Sequence, residues 1–289
     1  MIKNWIVTGD THGGMSAISR VGNIHRNMED CVPEYTGIII LGDAGLNFYL
    51  NGTDKKYKKT LNNMGYHIYC VRGNHEERPE NIPGMVLVED ENVNNAVWMQ
   101  EEFPNIRYFV DGNEYIINGH STLVIGGAYS VDKWYRLARA GYTAAEAETA
   151  NPKKCGWFKD ELLTKEEMDA ITLKVTDKRY EFVLSHTCPI SWEPIDLFLR
   201  GIDQTQVDKS MEIWMDELKE HIDWRVWLFG HFHADRVERP CVEQMYMDYE
   251  NIETIWNRWY GEKTYEKEWW LPKSPWMHWS EGCKEEANG

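Results

Sequence analysis

Residues 5–13 read Trp5-Ile6-Val7-Thr8-Gly9-Asp10-Thr11-His12-Gly13: a short apolar run, a glycine, then an Asp and a His two positions apart. A brief β-branched run that stops at glycine reads as a buried strand fed into a tight turn, not as a helix. The same grammar recurs four times. Ile38-Ile39-Ile40-Leu41 runs into Gly42-Asp43, and Ile68-Tyr69-Cys70-Val71 into Arg72-Gly73-Asn74-His75-Glu76. Phe182-Val183-Leu184 runs into Ser185-His186, and Val226-Trp227-Leu228-Phe229 into Gly230-His231-Phe232-His233. Five strand ends thus present Asp, His and Asn, and none presents Cys.

Helical patterns lie between these strands. Over 205–222, Val207, Met211, Trp214, Leu218 and Ile222 recur at steps of three and four and make one apolar stripe. Thr164 followed by Glu167 is a capping box that starts a second helix. A third, over 53–64, turns Tyr57, Leu61 and Met64 inward and stops at Gly65. Strands alternating with helices predict an α/β layer architecture. Residues 85–126 differ: Met85-Val86-Leu87-Val88, Arg107-Tyr108-Phe109-Val110, Tyr115-Ile116-Ile117 and Leu123-Val124-Ile125 follow one another with only short turns between. That spacing predicts antiparallel strands and a second sheet. Without a repeat or a Gly/Ser-rich linker, the chain reads as one main domain over 1–250 and a tryptophan-rich extension over 251–289 packed on it.

Composition bounds the partners. The chain has 289 residues, 42% apolar and 27% charged, as expected of a folded globular protein. Forty-seven acidic against 31 basic residues give a net charge of −16, which repels a phosphate backbone and argues against nucleic acid as a partner. No run is long and apolar enough for a membrane span, and MIKNWIVTGD enters a strand directly, so the cytoplasm is the expected compartment. Six scattered cysteines without a C-x-x-C pair suggest neither a disulfide framework nor a thiolate zinc site. Of 14 tryptophans, Trp256, Trp259, Trp269, Trp270, Trp276 and Trp279 crowd the C-terminal stretch, where packing on the protein's own surface is the expected role.

Asp10 with His12, and His231 with His233, are two positions apart, so each pair would project to one side of an extended segment. In open α/β sheets, residues beyond the carboxyl ends of strands converge on one site. A mixed nitrogen and oxygen donor set suits Mn²⁺, Fe²⁺, Zn²⁺ or Ni²⁺. Seven donors exceed the needs of one tetrahedral ion and suit two ions that share a carboxylate, an arrangement that clamps a phosphoryl group and acidifies a bridging water. Bound cations also let an acidic protein take a phosphate.

The ordered motifs D-x-H, G-D, G-N-H-E, a lone H and G-H-x-H across residues 10–233 resemble those of calcineurin-like metallophosphoesterases. The resemblance implies a two-sheet β-sandwich flanked by helices, a four-layer αββα arrangement, with two divalent cations, Mn²⁺ foremost, at the strand ends. It implies Asp10, His12 and His233 at the first metal, Asn74, His186 and His231 at the second, and Asp43 bridging. His75, beside a ligand, would stabilise the transition state or protonate the leaving oxygen. Arg72 matches the R-G-N-H-E of phosphatases in this superfamily and is the expected phosphate-binding residue. The second motif departs from the protein phosphatase pattern G-D-x-x-D-R-G, since Gly42-Asp43 is followed by Ala44-Gly45-Leu46-Asn47-Phe48. The expected activity is therefore phosphate-ester hydrolysis by a metal-bridging hydroxide. Phosphomonoesters, carried by a small molecule or a phosphoprotein, are favoured over diesters, nuclease substrates or a non-catalytic metal scaffold. Arg136, in the basic and aromatic stretch 131–160, is expected on a helix packed on the sheet.

Overall fold

The computed structural model describes residues 1–261. The first half of the described chain runs β1 (Asn4–Thr8), α1 (Gly14–Asn27), β2 (Thr36–Ile40), α2 (Gly52–Asn62), β3 (His67–Cys70), β4 (Met85–Asp90), β5 (Asn95–Gln100), β6 (Ile106–Tyr108), β7 (Glu114–Ile117) and β8 (His120–Ile125). It continues through α3 (Lys133–Arg139), α4 (Pro152–Cys155), α5 (Lys165–Val175), β9 (Arg179–Ser185), α6 (Ser210–Leu218), β10 (Asp223–Phe229), β11 (Arg236–Arg239), β12 (Val242–Gln244), β13 (Tyr249–Asn251) and α7 (Ile252–Tyr260). The strands form two mixed sheets. One has the order β13-β1-β2-β3-β6-β5-β4 and the other β11-β12-β10-β9-β8-β7.

Period-two alternation decides how the sheets stack. Along β1 and β2, Val7 and Ile39 face the second sheet and meet Phe182, Leu184, Val226 and Leu228 in the central core. Their neighbours Ile6, Ile38 and Ile40 turn outward onto Ala17, Val21 and Ile24 of α1 and Leu61 of α2. On the other sheet, Val183, Trp227 and Phe229 turn outward onto α5 and α6 through Ile171, Met211 and Trp214. Strands buried on both faces read as continuous apolar runs, as β2 does. The result is the expected helix, sheet, sheet, helix sandwich.

Several expectations change in detail. The 85–126 strands do not make a sheet of their own: β4, β5 and β6 extend the first sheet, while β7 and β8 complete the second. The parallel pairing of β3 with β6, from Ile68 opposite Ile106 to Cys70 opposite Tyr108, draws the first group away. The helix expected over 205–222 is confined to Ser210–Leu218. Thr164 and Glu167 cap α5 reciprocally, as expected. The boundary at residue 250 falls inside β13, whose Glu250 pairs with Val7 of β1, and Ile252 and Ile255 of α7 enter the central core. Trp256 and Trp259 pack against that core, whereas Trp269, Trp270, Trp276 and Trp279 lie outside the described residues. Among the described residues no helix is long and apolar enough to cross a membrane.

The parallel core strands β1, β2 and β3 of one sheet and β8, β9 and β10 of the other all deliver their carboxyl ends to one edge of the sandwich. This edge carries the site.

Candidate metal centre

Each strand end contributes its donors through a tight turn. Asp10 and Asp43 are almost fully buried, and the backbone fixes both: His231 N–H donates to the Asp10 oxygens at 2.9 and 3.0 Å, and His75 N–H donates to Asp43 Oδ1 at 2.8 Å. His12 N–H donates to the Asp43 carbonyl at 2.8 Å and so ties the first loop to the second. Gly42 and Gly230 are required by close approach, since a Cβ at Gly42 would overlap the His186 ring and one at Gly230 the Asp10 carboxylate.

The expected pairs converge, but not from extended backbone. His12, Asp43, His231 and His233 all adopt positive φ, between 48° and 67°. These account for four of the nine non-glycine residues with positive φ among the described residues, so backbone strain is concentrated at the donors. The left-handed turns fold the side chains back. His12 Nε2 approaches Asp10 Oδ2 at 3.4 Å and meets His233 Nε2 at closer than normal hydrogen-bond range. His12 Nδ1 lies 3.5 Å from Asp43 Oδ2.

The arrangement tests whether cations fit. His186 Nδ1 faces the Leu41 carbonyl at 2.7 Å, which puts the ring proton on Nδ1. In the neutral ring, the form that binds metal, the lone pair on Nε2 then points at Asn74 Oδ1, itself an acceptor, 2.8 Å away. Asp43 Oδ2, 3.7 Å from His186 Nε2, is buried without a hydrogen-bond partner. Buried acceptors set against each other without an intervening proton are costly unless a cation lies between them. Asp10 with His12 and His233, and Asp10 with Asp43 and His186, each bring donor atoms within 4.8 Å of one another. His231 stands beside His186, ring centroids 5.0 Å apart, and lines a cavity together with His12, Asn74 and His233. The donor set therefore fits divalent cations.

His75 borders the cluster. Its ring lies 5.6 Å from that of His12, its Nδ1 is buried without a partner, and burial pushes its pKa down against the pull of Asp43. Burial likewise pushes His231 and His233 down, while hydrogen bonding and charge from Asp10 and Asp43 raise His12 against its own burial. Histidines kept neutral are the form that binds metal.

Arg72 departs from expectation. It is buried, and its guanidinium is spent on the protein: Nε donates to Asp111 at 2.8 Å, Nη1 to the Glu161 carbonyl at 2.8 Å and Nη2 to the Gly126 carbonyl at 3.1 Å. It lines a different hollow from the donors and is corrected to a structural clamp between the third strand end and the 126–161 segment. Two cations line the donors' cavity instead: Lys209, and Arg136 of α3, oriented by Asp132 at 2.6 Å and by the Gly156 carbonyl at 2.9 Å.

Two further residues, Ser130 and Glu161, belong to the site and lie outside the five strand-end motifs. Asn74 Nδ2 donates to Ser130 Oγ at 2.8 Å, and Ser130 in turn donates to Glu161 Oε2 while accepting from Asn74. This chain fixes the Asn74 amide with its oxygen toward His186. The signal for it in the sequence is the stretch Gly126-Gly127-Ala128-Tyr129-Ser130, whose glycines let the chain leave β8 and bring Ser130 over the site.

A sandwich whose parallel strands end in buried histidine and carboxylate donors carries a candidate divalent-metal centre. The family model for calcineurin-like phosphoesterases matches residues 4–235, and the chain belongs to that family. No curated protein matches it. Similar solved structures include TT1561 of Thermus thermophilus, at 13% identity and TM-score 0.41, covering 87% of this chain and 98% of that one. The phosphopantetheinyl hydrolase from Mycobacterium tuberculosis has 13% identity and TM-score 0.41, covering 84% and 88%. A protein serine/threonine phosphatase from Saccharomyces cerevisiae, similar to human phosphatase PP5, has 12% identity and TM-score 0.34, covering 84% and 66%.

Proposed function

We propose that this protein hydrolyses a small phosphomonoester at the strand-end cluster, with two divalent cations, Mn²⁺ foremost, as cofactors. The observation that carries the reading is the set of opposed acceptors, His186 Nε2 against Asn74 Oδ1 beside the partnerless Asp43 Oδ2. Asp10, His12 and His233 would hold one cation, Asn74, His186 and His231 the other, and Asp43 both. Such cations supply Lewis-acid polarisation of the phosphoryl group and an acidified water.

The chain's own residues do the rest. Arg136 lines the cavity beside His12 and His75 and neutralises phosphate charge. His75, at the cavity wall with its ring neutral, donates a hydrogen bond to the phosphoryl group as charge builds. In the balanced reaction a water oxygen bonds to phosphorus, the ester P–O bond breaks, and the proton released ends on the leaving alcohol.

Turnover of a chromogenic phosphomonoester and the matching diester by the Mn²⁺-loaded protein tests this, with His75→Ala in parallel. The expected result is faster monoester cleavage, with His75→Ala reduced by roughly 10²-fold or more while still binding metal. Cleavage of neither ester with any of several divalent metals would overturn the reading, and preferential diester cleavage would overturn the monoester assignment.

A further inference from the structure

Four of the donors, His12, Asn74, His231 and His233, line one cavity. It holds about 320 Å³, at the small end of the range for small-ligand sites. His12, His75 and His231 line one part, and Tyr129, Phe198, Leu199, Ile202, Val207 and Phe232 line another. Phosphate chemistry does not need this apolar wall. The two parts are joined by aromatic rings: His231 meets Phe232 edge to face at 4.9 Å, and Phe232 lies nearly parallel to Phe198, with centroids 6.3 Å apart. Leu199 is 63% exposed, which leaves apolar surface at the rim for a ligand to cover.

One polar group in this lobe is unusual. Glu212, in the first turn of α6, is 3% exposed and lines the cavity. Its Oε1 accepts from Thr187 Oγ1 at 2.9 Å, and its Oε2 has no partner. A buried carboxyl oxygen left unpaired carries a desolvation penalty that a ligand atom relieves. Burial pushes the Glu212 pKa up to about 7, so near neutrality the carboxyl can donate as well as accept. The lobe's cation, Lys209, is paired with Glu193 at 2.6 Å and lies over the Phe198 ring at 4.7 Å, so it does not call for a second anion.

We propose that this lobe is the leaving-group subsite and that the substrate is the phosphomonoester of a compact aromatic alcohol whose far edge hydrogen-bonds Glu212. The inference rests on the phosphomonoesterase reading above. A space of this size takes one or two fused rings, whereas a phosphorylated peptide needs an open groove for its backbone. Aromatic and aliphatic walls supply affinity for the ring, and the partnerless carboxyl oxygen of Glu212 sets its orientation.

Non-hydrolysable phosphonates test the subsite free of leaving-group reactivity. Ethylphosphonate, benzylphosphonate and 1-naphthylmethylphosphonate are compared as competitive inhibitors of chromogenic monoester cleavage by the Mn²⁺-loaded protein. The expected result is aryl inhibition constants at least roughly tenfold below that of ethylphosphonate. The aryl-to-ethyl ratio should collapse towards one in Phe198→Ala. In the wild type 4-hydroxybenzylphosphonate should bind more tightly than benzylphosphonate, Glu212→Leu should abolish that difference, and equal binding of the two by the wild type overturns the contact with Glu212. Because each comparison is a ratio within one protein, a partly folded variant does not distort it. Equal inhibition by all three phosphonates while the ester is still cleaved overturns the subsite and leaves the function standing. Absence of both cleavage and phosphonate binding overturns the two together.

Discussion

The side-chain amide of Asn74 donates to Ser130 Oγ at 2.8 Å, and that bond decides which end of the amide faces His186. The serine hydroxyl is directional because its own proton goes to Glu161, which is buried and held at Ser130 N by a further bond at 3.0 Å. Outer residues of this kind typically tune metal affinity by roughly 10- to 100-fold. Ser130→Ala should therefore weaken binding of one Mn²⁺ by that factor and leave the other near its wild-type affinity. Calorimetric titration of the metal-free protein resolves the two steps, and equal weakening of both would contradict the positioning role.

The two arginines separate stability from substrate binding. Arg72→Leu breaks a buried pair and strands Asp111, which is left with the Gly126 N–H as its remaining donor, so unfolding free energy should fall by about 3–5 kcal/mol. Arg136→Ala removes a half-buried side chain bonded to Asp132 and Gly156, and its main effect should be a KM for the phosphomonoester raised roughly tenfold or more. Denaturant midpoints and steady-state kinetics on both variants check this. If Arg72→Leu raised KM with no loss of stability, the corrected assignment would be wrong.

What can be read from the chain follows from how local the signal is. Asp10, Asp43, Asn74, His186, His231 and His233 each sit within a few residues of an apolar strand, so their convergence at one sheet edge is legible in the sequence. The way they converge is not: the spacing predicts extended backbone where His12 and His233 take left-handed turns, because φ at a non-glycine residue is set by bonds such as His12 N–H to the Asp43 carbonyl, 31 residues away in sequence. Arg72 misleads for a similar reason. Its neighbours match a phosphatase motif, but its partners Asp111, Gly126 and Glu161 come from distant segments. β5 carries little signal because only Val97 of Asn95–Gln100 is fully buried, which leaves no clear alternation. Ser130 and Glu161 are 31 residues apart, so nothing local in the sequence joins them.

Asp43 should control occupancy of the whole centre. Its Oδ2 is the partnerless acceptor nearest both His12 and His186, so Asp43→Asn keeps the volume and removes the charge that both cations share. The variant should retain its fold and lose most bound metal, measured as metal per chain after gel filtration. The wild type should melt at a higher temperature with excess Mn²⁺ than with chelator, since a ligand that binds only the folded state stabilises it. An Asp43→Asn protein that kept two metals per chain would remove Asp43 from the bridging position.

Stability should fall as pH rises from about 6.5 to 8, above the range in which the buried, neutral His75, His231 and His233 work the other way. Burial raises Glu76 to about 8 and both Glu161 and Glu212 to about 7, against 4.5 for a free glutamate. Between those values the folded chain keeps protons that the unfolded chain has released, so each group's contribution is complete below about pH 4.5 and is lost as pH rises through its folded pKa. The slope is at most about 1.4 kcal/mol per pH unit for each group. Glu167 works the other way: Arg78 holds it down to about 2 against its own burial, so its contribution is present above pH 4.5 and fades in strong acid. Urea unfolding of the chelated protein at half-unit steps between pH 5 and 8.5 measures the profile. In Glu212→Gln that profile should be flatter, because the amide has no proton to lose. A wild-type profile that rises between about pH 6.5 and 8, or a Glu212→Gln profile parallel to it, would mean that the buried carboxyl is not protonated in the folded state.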